Sequence, residues 1–300
     1  MSNATSYQLF INGRWRAGSD GNTLPVTNPA TEKVFGSVAT ASASDLDEAL
    51  ASAERSRRAW SSRPAKERGE ILVAAARILA TKVGDAAKDL STEQGKTIAE
   101  ATGEYARAVE TLEWNGTHAD ELSAPVPMGP NRMIVPEPLG VVAAFTPWNY
   151  PAVLIARKLA PALAAGCPVI LKGAEETPSA AVHFVDALRQ AGVPDGVVSL
   201  VFGVPVQISR HLLSSPIVKV LTFTGSTEVG KQLASSPRIT CSGAFLSSVG
   251  IPRSLYARMP TWQKPYRQSR NTSSSARARA AMRPAGSSSR GLSMRNSCPG

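Results

Sequence analysis

Residues 140–176, GVVAAFTPWNYPAVLIARKLAPALAAGCPVILKGAEE, decide the fold. Val141 to Phe145 form a continuous apolar run that stops at Thr146-Pro147, and the polar knot Trp148-Asn149-Tyr150-Pro151 follows. A segment with apolar residues at helical spacing leads to Ala165-Gly166. A second apolar run, Val169 to Leu171, then ends on Lys172, with Glu175 three residues later. Short uninterrupted apolar runs suit strands buried on both faces, and a helical stretch between them makes one βαβ unit. Polar groups then fall at the C-terminal ends of both strands, the edge where open parallel sheets bind ligands.

The alternation continues outward. Apolar runs at 141–145, 168–171, 197–201 and 218–222 alternate with helical stretches at 151–165, 177–191, 205–214 and 226–234. This predicts an α/β fold with a parallel sheet flanked by helices. Upstream, Tyr7 to Ile11, the turn Asn12-Gly13 and the return Arg14-Trp15 read as a hairpin. A second turn, Asn28-Pro29-Ala30-Thr31, precedes Val34 to Val38. Ser44, with Asp47 three residues on, is the expected N-cap of a helix ending near Trp60, and Pro64 opens another. Further helices are expected over 85–92 and 97–122, separated by Gly95. Pro125, Pro127, Pro130, Pro136 and Pro138 exclude a helix or a central strand and predict an extended arm over 125–139.

After Thr240 the texture changes to Ser, Arg, Ala, Pro and Gly, without apolar periodicity. Such a segment cannot bury enough surface to offset its ordering entropy, so 241–300 reads as a disordered tail. Ten of the 33 basic residues and none of the 23 acidic ones lie there, so residues 1–240 are balanced and the net charge of +10 belongs to the tail. A nucleic-acid-binding role for that tail is not favoured. It lacks a folded motif, and its aromatics, Tyr256, Trp262 and Tyr266, precede the Arg-rich part. Cys167, Cys241 and Cys298 give neither a disulfide framework nor a metal spacing. With no long apolar span and no leader-like N-terminus, a cytoplasmic protein without a membrane segment is expected.

Several polar residues carry chemical promise, each beside a plainer reading. Asn149 offers an amide that can donate to a developing oxyanion, or it is a turn former. Lys172 and Glu175 suit the hydroxyls of a ribose, or they sit in a solvated loop. Gly225 and Ser226, at a strand-to-helix junction, suit a phosphate, or Ser226 is an ordinary N-cap. Arg157 and Lys158 interrupt an apolar helix. Either can snorkel to solvent, or Arg157 can fork onto a carboxylate. His118, His183 and His211 have no partner spacing, and Cys167 reads as a small buried hydrophobe. Neither G-x-G-x-x-G nor G-x-x-x-x-G-K-[ST] occurs.

Taken together, Pro147-Trp148-Asn149-Tyr150-Pro151, then 158–166 (KLAPALAAG), Lys172 with Glu175-Glu176-Thr177-Pro178, and Phe223-Thr224-Gly225-Ser226-Thr227 with Val229-Gly230 resemble the NAD(P)-dependent aldehyde dehydrogenases in order and spacing. The resemblance covers about residues 7–240, and Ala-Ala-Gly-Cys with Arg157 looks most like the succinate-semialdehyde dehydrogenase branch. It implies a Rossmann-type sheet, with 1–124 as the N-terminal helical part of the cofactor-binding domain, 125–139 as an oligomerisation arm and 140–240 as the dinucleotide-binding part. It implies NAD or NADP as cofactor and a small aldehyde as substrate, in a homodimer or homotetramer. In that family a thiolate attacks the aldehyde, hydride passes to the cofactor and the thioester is hydrolysed. By resemblance, Asn149 serves the oxyanion and Lys172 with Glu175 hold the adenosine ribose. Gly225 and Ser226 form the turn under the pyrophosphate. Phe145, Thr146 and Trp148 line the nicotinamide side, Gly203 lies beside the adenine, and Arg157 takes a substrate carboxylate.

Two departures stand out. Gly173 replaces a usual Pro, which is expected to loosen the loop of Lys172. More decisively, Arg238-Ile239-Thr240 is followed by Cys241-Ser242-Gly243-Ala244, and neither Glu-Leu-Gly-Gly, which carries the general base, nor Gly-Gln-x-Cys, which carries the nucleophile, appears. Cys298 lacks the flanking Gly-Gln. A frameshift just after the codon of Thr240 in a GC-rich gene would account for this truncation of the pattern. Reading the neighbouring frames of the gene tests it, and failure to recover both motifs rejects it.

Overall fold

A computed structural model describes residues 5–235, 243–248 and 251–257. The chain opens with β1 (Thr5–Tyr7), β2 (Leu9–Ile11), β3 (Arg14–Arg16), β4 (Thr23–Asn28) and β5 (Lys33–Ala39). Helices α1 (Ala43–Ser62), α2 (Ala65–Thr81), α3 (Val83–Gln94), α4 (Ile98–Thr117) and α5 (Ala119–Ser123) follow. A small hairpin, β6 (Val126–Pro127) and β7 (Met133–Ile134), occupies the proline-rich arm. Then come β8 (Val141–Phe145), α6 (Pro151–Ala164), β9 (Val169–Lys172), α7 (Pro178–Gln190), β10 (Val198–Val201), α8 (Pro205–Ser214), β11 (Val218–Gly225), α9 (Thr227–Ser235), β12 (Gly243–Ser248) and β13 (Ile251–Ala257).

The main sheet has the order β13-β12-β11-β8-β9-β10-β2-β3. Strands β12, β11, β8, β9 and β10 run parallel, and antiparallel pairings flank them on both sides. Every residue of β8, β9 and β10 is buried, as both-face covering requires. Helices α6 and α7 pack together against the sheet, backed by α2, α3 and α4, whereas α1 and α8 pack against each other and the sheet. Helices α6, α7 and α8 each begin with Pro, whose missing N–H costs nothing at a first helical position. In the β2–β3 hairpin Asn12 (φ 51°) and Gly13 (φ 79°) take the two positive φ values of a tight turn.

Three expectations need correction. The N-cap of α1 is Ser42, whose hydroxyl accepts from the Asp45 N–H while the Asp45 carboxylate accepts from the Ser42 N–H. The helix expected over 97–122 is broken at His118 into α4 and α5. Finally, order does not stop at Thr240. Residues 243–248 add in parallel to β11 and 251–257 pair antiparallel with them. The edge of β11 presents unpaired N–H and C=O groups, which a following extended segment satisfies even without strong apolar periodicity. The remainder of 241–300, with Cys241, Cys298 and the Arg-rich part, lies outside the described residues, as do Arg238 to Thr240.

Candidate cofactor-binding and active site

From β8 the chain steps to β9 and then β10 in one direction, whereas β11 returns to the opposite side of β8. The reversal leaves a crevice outside the C-terminal ends of β8 and β11, the usual ligand position in such sheets. Phe145 and Phe223 are register partners and therefore share a sheet face. With Val206, Leu213, Val229 and Leu233 they line an apolar groove of about 270 Å³ between α8 and α9. Phe145, expected on the nicotinamide side, belongs to this groove.

Gly225 ends β11 directly over the Phe223 ring. A Cβ there would lie 2.4 Å from a ring carbon, so any larger residue would have to displace the buried Phe223 ring. Ser226 accepts the Val229 N–H with its hydroxyl at 3.3 Å and the Gly230 N–H with its carbonyl, which makes it the cap of α9. Its hydroxyl is thus engaged as an N-cap while it remains exposed at the crevice.

At the end of β9, the buried Lys172 ammonium meets Glu175 Oε2 at 2.6 Å. Glu175 Oε1 accepts the Gly203 N–H at 2.7 Å, which ties the β9 and β10 loops together. Gly203 has φ +132°, a conformation open to glycine. Thr146 donates its N–H to the Lys172 carbonyl at 3.3 Å, so the β8 loop joins the same assembly. Gly173, expected to loosen this loop, donates its N–H to the Val201 carbonyl at 3.1 Å, a bond proline has no hydrogen to make.

Asn149 is held from residues far upstream. Its carbonyl accepts Gln94 Nε2 and Lys96 Nζ, each at 3.2 Å. Its Oδ1 accepts the Tyr150 N–H at 3.0 Å, which fixes the amide orientation and leaves the NH₂ as a donor. Lys96 also lies 4.6 Å from the centroid of the Tyr150 ring. Its ion-pair partner, Glu104 Oε2 at 2.5 Å, belongs to a fully buried carboxylate. The other oxygen of Glu104 accepts the N–H groups of Ala152 and Val153, at 2.8 and 3.3 Å, at the start of α6. A carboxylate at a helix N-terminus answers both its free N–H groups and its dipole. Trp148 and Tyr150 are exposed beside the loop.

The adjacent cations on α6 separate. Arg157 is exposed, with no hydrogen bond or ion pair among the described residues. Lys158 is buried, and its Nζ donates to Thr222 Oγ1 at 3.1 Å. Burial pushes its pKa from the ordinary 10.5 down to about 7. His183 pairs with Asp89 and His211 with Asp47, while Cys167 is buried, in keeping with packing and surface roles. Among the described residues no group of three or more His, Cys, Asp and Glu side chains is arranged for a metal, and no helix is long and apolar enough to cross a membrane.

Sequence reasoning did not find Lys96, Glu104 or Gln94, which anchor the Asn149 loop from 48–55 residues upstream. The Thr97/Glu100 capping box was available as a signal that a helix starts there, with Glu104 one turn further on. Only the tertiary fold shows what that helix supports.

The profile described as the aldehyde dehydrogenase family matches residues 15–244. A glutarate-semialdehyde dehydrogenase of Pseudomonas aeruginosa is 40% identical over 230 residues, covering 75% of this chain and 48% of the relative. A succinate-semialdehyde dehydrogenase [NADP(+)] of Escherichia coli is 40% identical over 236 residues, covering 77% and 49%. The crystal structure of a succinate-semialdehyde dehydrogenase from Burkholderia pseudomallei superposes with TM-score 0.76 at 38% identity, over 82% of this chain and 52% of that one. A betaine aldehyde dehydrogenase mutant from Staphylococcus aureus in complex with NAD+ superposes with TM-score 0.78 at 27% identity, over 83% and 51%. The chain spans about half the length of the curated relatives it matches.

Proposed function

The chain belongs to the aldehyde dehydrogenase family, and on that premise we propose that it is the NAD(P)-binding portion of an enzyme that oxidises a semialdehyde to the acid. What supports this reading is the Lys172–Glu175–Gly203 assembly at the C-terminal ends of β9 and β10, together with the Asn149 amide that follows β8. The residues fit a dinucleotide. The turn at Gly225, packed on the Phe223 ring, and Ser226 with the start of α9 would face the anionic phosphates. Lys172 and Glu175 offer a donor and acceptors to ribose hydroxyls, and the Phe145 groove offers apolar contact. Phe145, Thr146, Trp148 and Gly203 complete the cofactor surface, and Arg157 keeps its proposed role toward a substrate carboxylate. When bound, the nicotinamide supplies the hydride acceptor. Asn149 donates its NH₂ toward the oxygen on which negative charge develops. Succinate or glutarate semialdehyde is the substrate class suggested by the names of the relatives.

The chain carries neither the Gly-Gln-x-Cys nucleophile motif nor the Glu-Leu-Gly-Gly base motif. Oxyanion donation and cofactor positioning do not replace a covalent nucleophile. The purified chain is expected to bind NAD or NADP and to give no aldehyde-dependent rise in reduced-nicotinamide absorbance. A robust rise would reject the loss of activity. Binding is read separately, as a thermal shift on adding millimolar NAD or NADP. Glu175→Ala removes one acceptor for the ribose and the bond to Gly203. Hydrogen bonds to charged groups contribute about 1.5–3 kcal/mol, so affinity is expected to fall roughly 10- to 100-fold. An unchanged affinity would remove Glu175 from the cofactor site.

We assign the chain to the cytoplasm, on its cysteine usage. Assembly as a homodimer or homotetramer would use the arm, where Val126, Met128, Met133 and Ile134 are exposed.

A further inference from the structure

Lys158 is a buried amine that neither the cofactor reading nor the oxyanion reading uses. Two other lysines near the crevice, Lys96 and Lys172, each face a carboxylate, at 2.5 and 2.6 Å. Lys158 instead meets the Thr222 hydroxyl at 3.1 Å and no carboxylate among the described residues. Thr222 is in register with Ala144 on β8 and with Phe245 on β12. Register partners point to one face of a sheet, so the amine, the hydroxyl and the Phe245 side chain lie on the same side. Phe245 is 48% exposed and Thr222 is partly exposed, whereas the amine itself is buried. The helix that carries Lys158 is the one that follows the Asn149 loop.

We propose that Lys158 is a nucleophilic amine that condenses reversibly with a short aliphatic aldehyde to form a Schiff base, with the carbon chain of the aldehyde against Phe245. The choice of an aldehyde rests on the family reading above; the amine geometry does not. The Nζ lone pair adds to the carbonyl carbon and the carbonyl oxygen takes up a proton, giving a carbinolamine. Its hydroxyl then leaves as water while the nitrogen loses its remaining protons to solvent, and a C=N bond forms. One aldehyde and one amine thus give one imine and one water, with no change of oxidation state. The Thr222 hydroxyl is within hydrogen-bond reach of the nitrogen and can relay a proton. Burial adds to the geometry by keeping about half of the amine unprotonated near neutral pH, whereas an exposed lysine is almost wholly an ammonium.

The test is reductive trapping of the full chain with sodium cyanoborohydride near neutral pH. Propanal and succinate semialdehyde serve as separate probes, and peptide mass spectrometry follows each lysine. The reductant delivers hydride to the imine carbon and leaves a stable secondary amine. Lys158 is expected to be alkylated at least about tenfold faster than the exposed Lys66 and Lys88, and to lose that advantage in urea. A Lys158 rate equal to or below theirs with both aldehydes overturns the proposal, as does an advantage that survives unfolding. Trapping by propanal alone supports the amine and restricts the chain it accepts. The NAD thermal shift is measured on the same sample, so failure of the amine and failure of the dinucleotide reading are told apart.

Discussion

Replacing Glu104 by alanine is expected to lower the unfolding free energy by about 3–5 kcal/mol, the cost of breaking a buried ion pair by removing one partner. Glu104 is wholly buried, and its two oxygens answer three donors: Lys96 Nζ and the N–H groups of Ala152 and Val153. Alanine leaves the ammonium and the first turn of α6 without their acceptor in a region closed to water. Domains of ordinary size have about 5–15 kcal/mol of stability, so this one change removes a large share of it. The midpoint of urea unfolding gives the measurement. Lys96→Met in the Glu104→Ala background should recover part of the loss, because the uncompensated charge is then gone. A loss below about 1 kcal/mol would mean that water reaches this pair. The same carboxylate holds Lys96, which donates to the Asn149 carbonyl, so its removal also weakens the support of the Asn149 loop.

Lys158→Met should act in the opposite direction and stabilise the chain. A pKa lowered from 10.5 to about 7 corresponds to roughly 5 kcal/mol of unfavourable burial at about 1.4 kcal/mol per unit. Methionine fills a similar volume without the amine, and the partly exposed Thr222 hydroxyl can turn to water. A gain of about 2–4 kcal/mol near neutral pH is expected after repacking. The pH dependence identifies the cause. Between about 7 and 10.5 the unfolded chain binds the proton that the folded chain has released, so wild-type stability rises with pH through that window. The full penalty is present below 7. The advantage of the methionine variant should therefore be largest below pH 7 and shrink toward pH 10.5. Parallel stability curves for the two proteins across that range would refute burial as the origin.

Local chemistry made much of the α/β architecture legible before any coordinates. Continuous apolar runs and the Pro and Gly residues around them act within a few residues, so β8 to β11 and α6 to α9 fall close to where the sequence puts them. The α1 cap shows where local chemistry becomes ambiguous. Ser42 with Asp45 and Ser44 with Asp47 both satisfy the capping pattern two residues apart. Distant partners decide between them, because Asp45 also accepts from the Ser19 N–H and hydroxyl and pairs with Arg16. Burial raises its pKa, but the hydrogen bonds from Ser19 and Ser42 outweigh it and hold the carboxyl far below the usual carboxylate range. At the site, strand-end residues such as Asn149, Lys172 and Glu175 were visible because they interrupt apolar runs. Lys96 and Glu104 were not, since nothing in their own segment reveals what they touch. Lys158 was visible as a charge in an apolar helix. Its inward direction depends on helical phase, which places it one turn from the buried Ile155. The strand over 243–248 was hidden by serine-rich wording.

The edge pairing of β2 with β10 has a consequence for how the chain folds as it is made. Leu200 lies opposite Phe10, so the strand that continues the sheet beyond β10 leaves the ribosome about 190 residues ahead of its partner. At about 5–20 residues per second, the hairpin waits roughly 10–40 s for its partner. During that interval Leu9 and Ile11, both fully buried in the finished fold, have no sheet to join. A contact this far apart in the chain also slows closure after release, because the loop entropy must be overcome before the pairing rewards it. Completing the sheet on that side therefore means docking a hairpin made well before the strand that receives it.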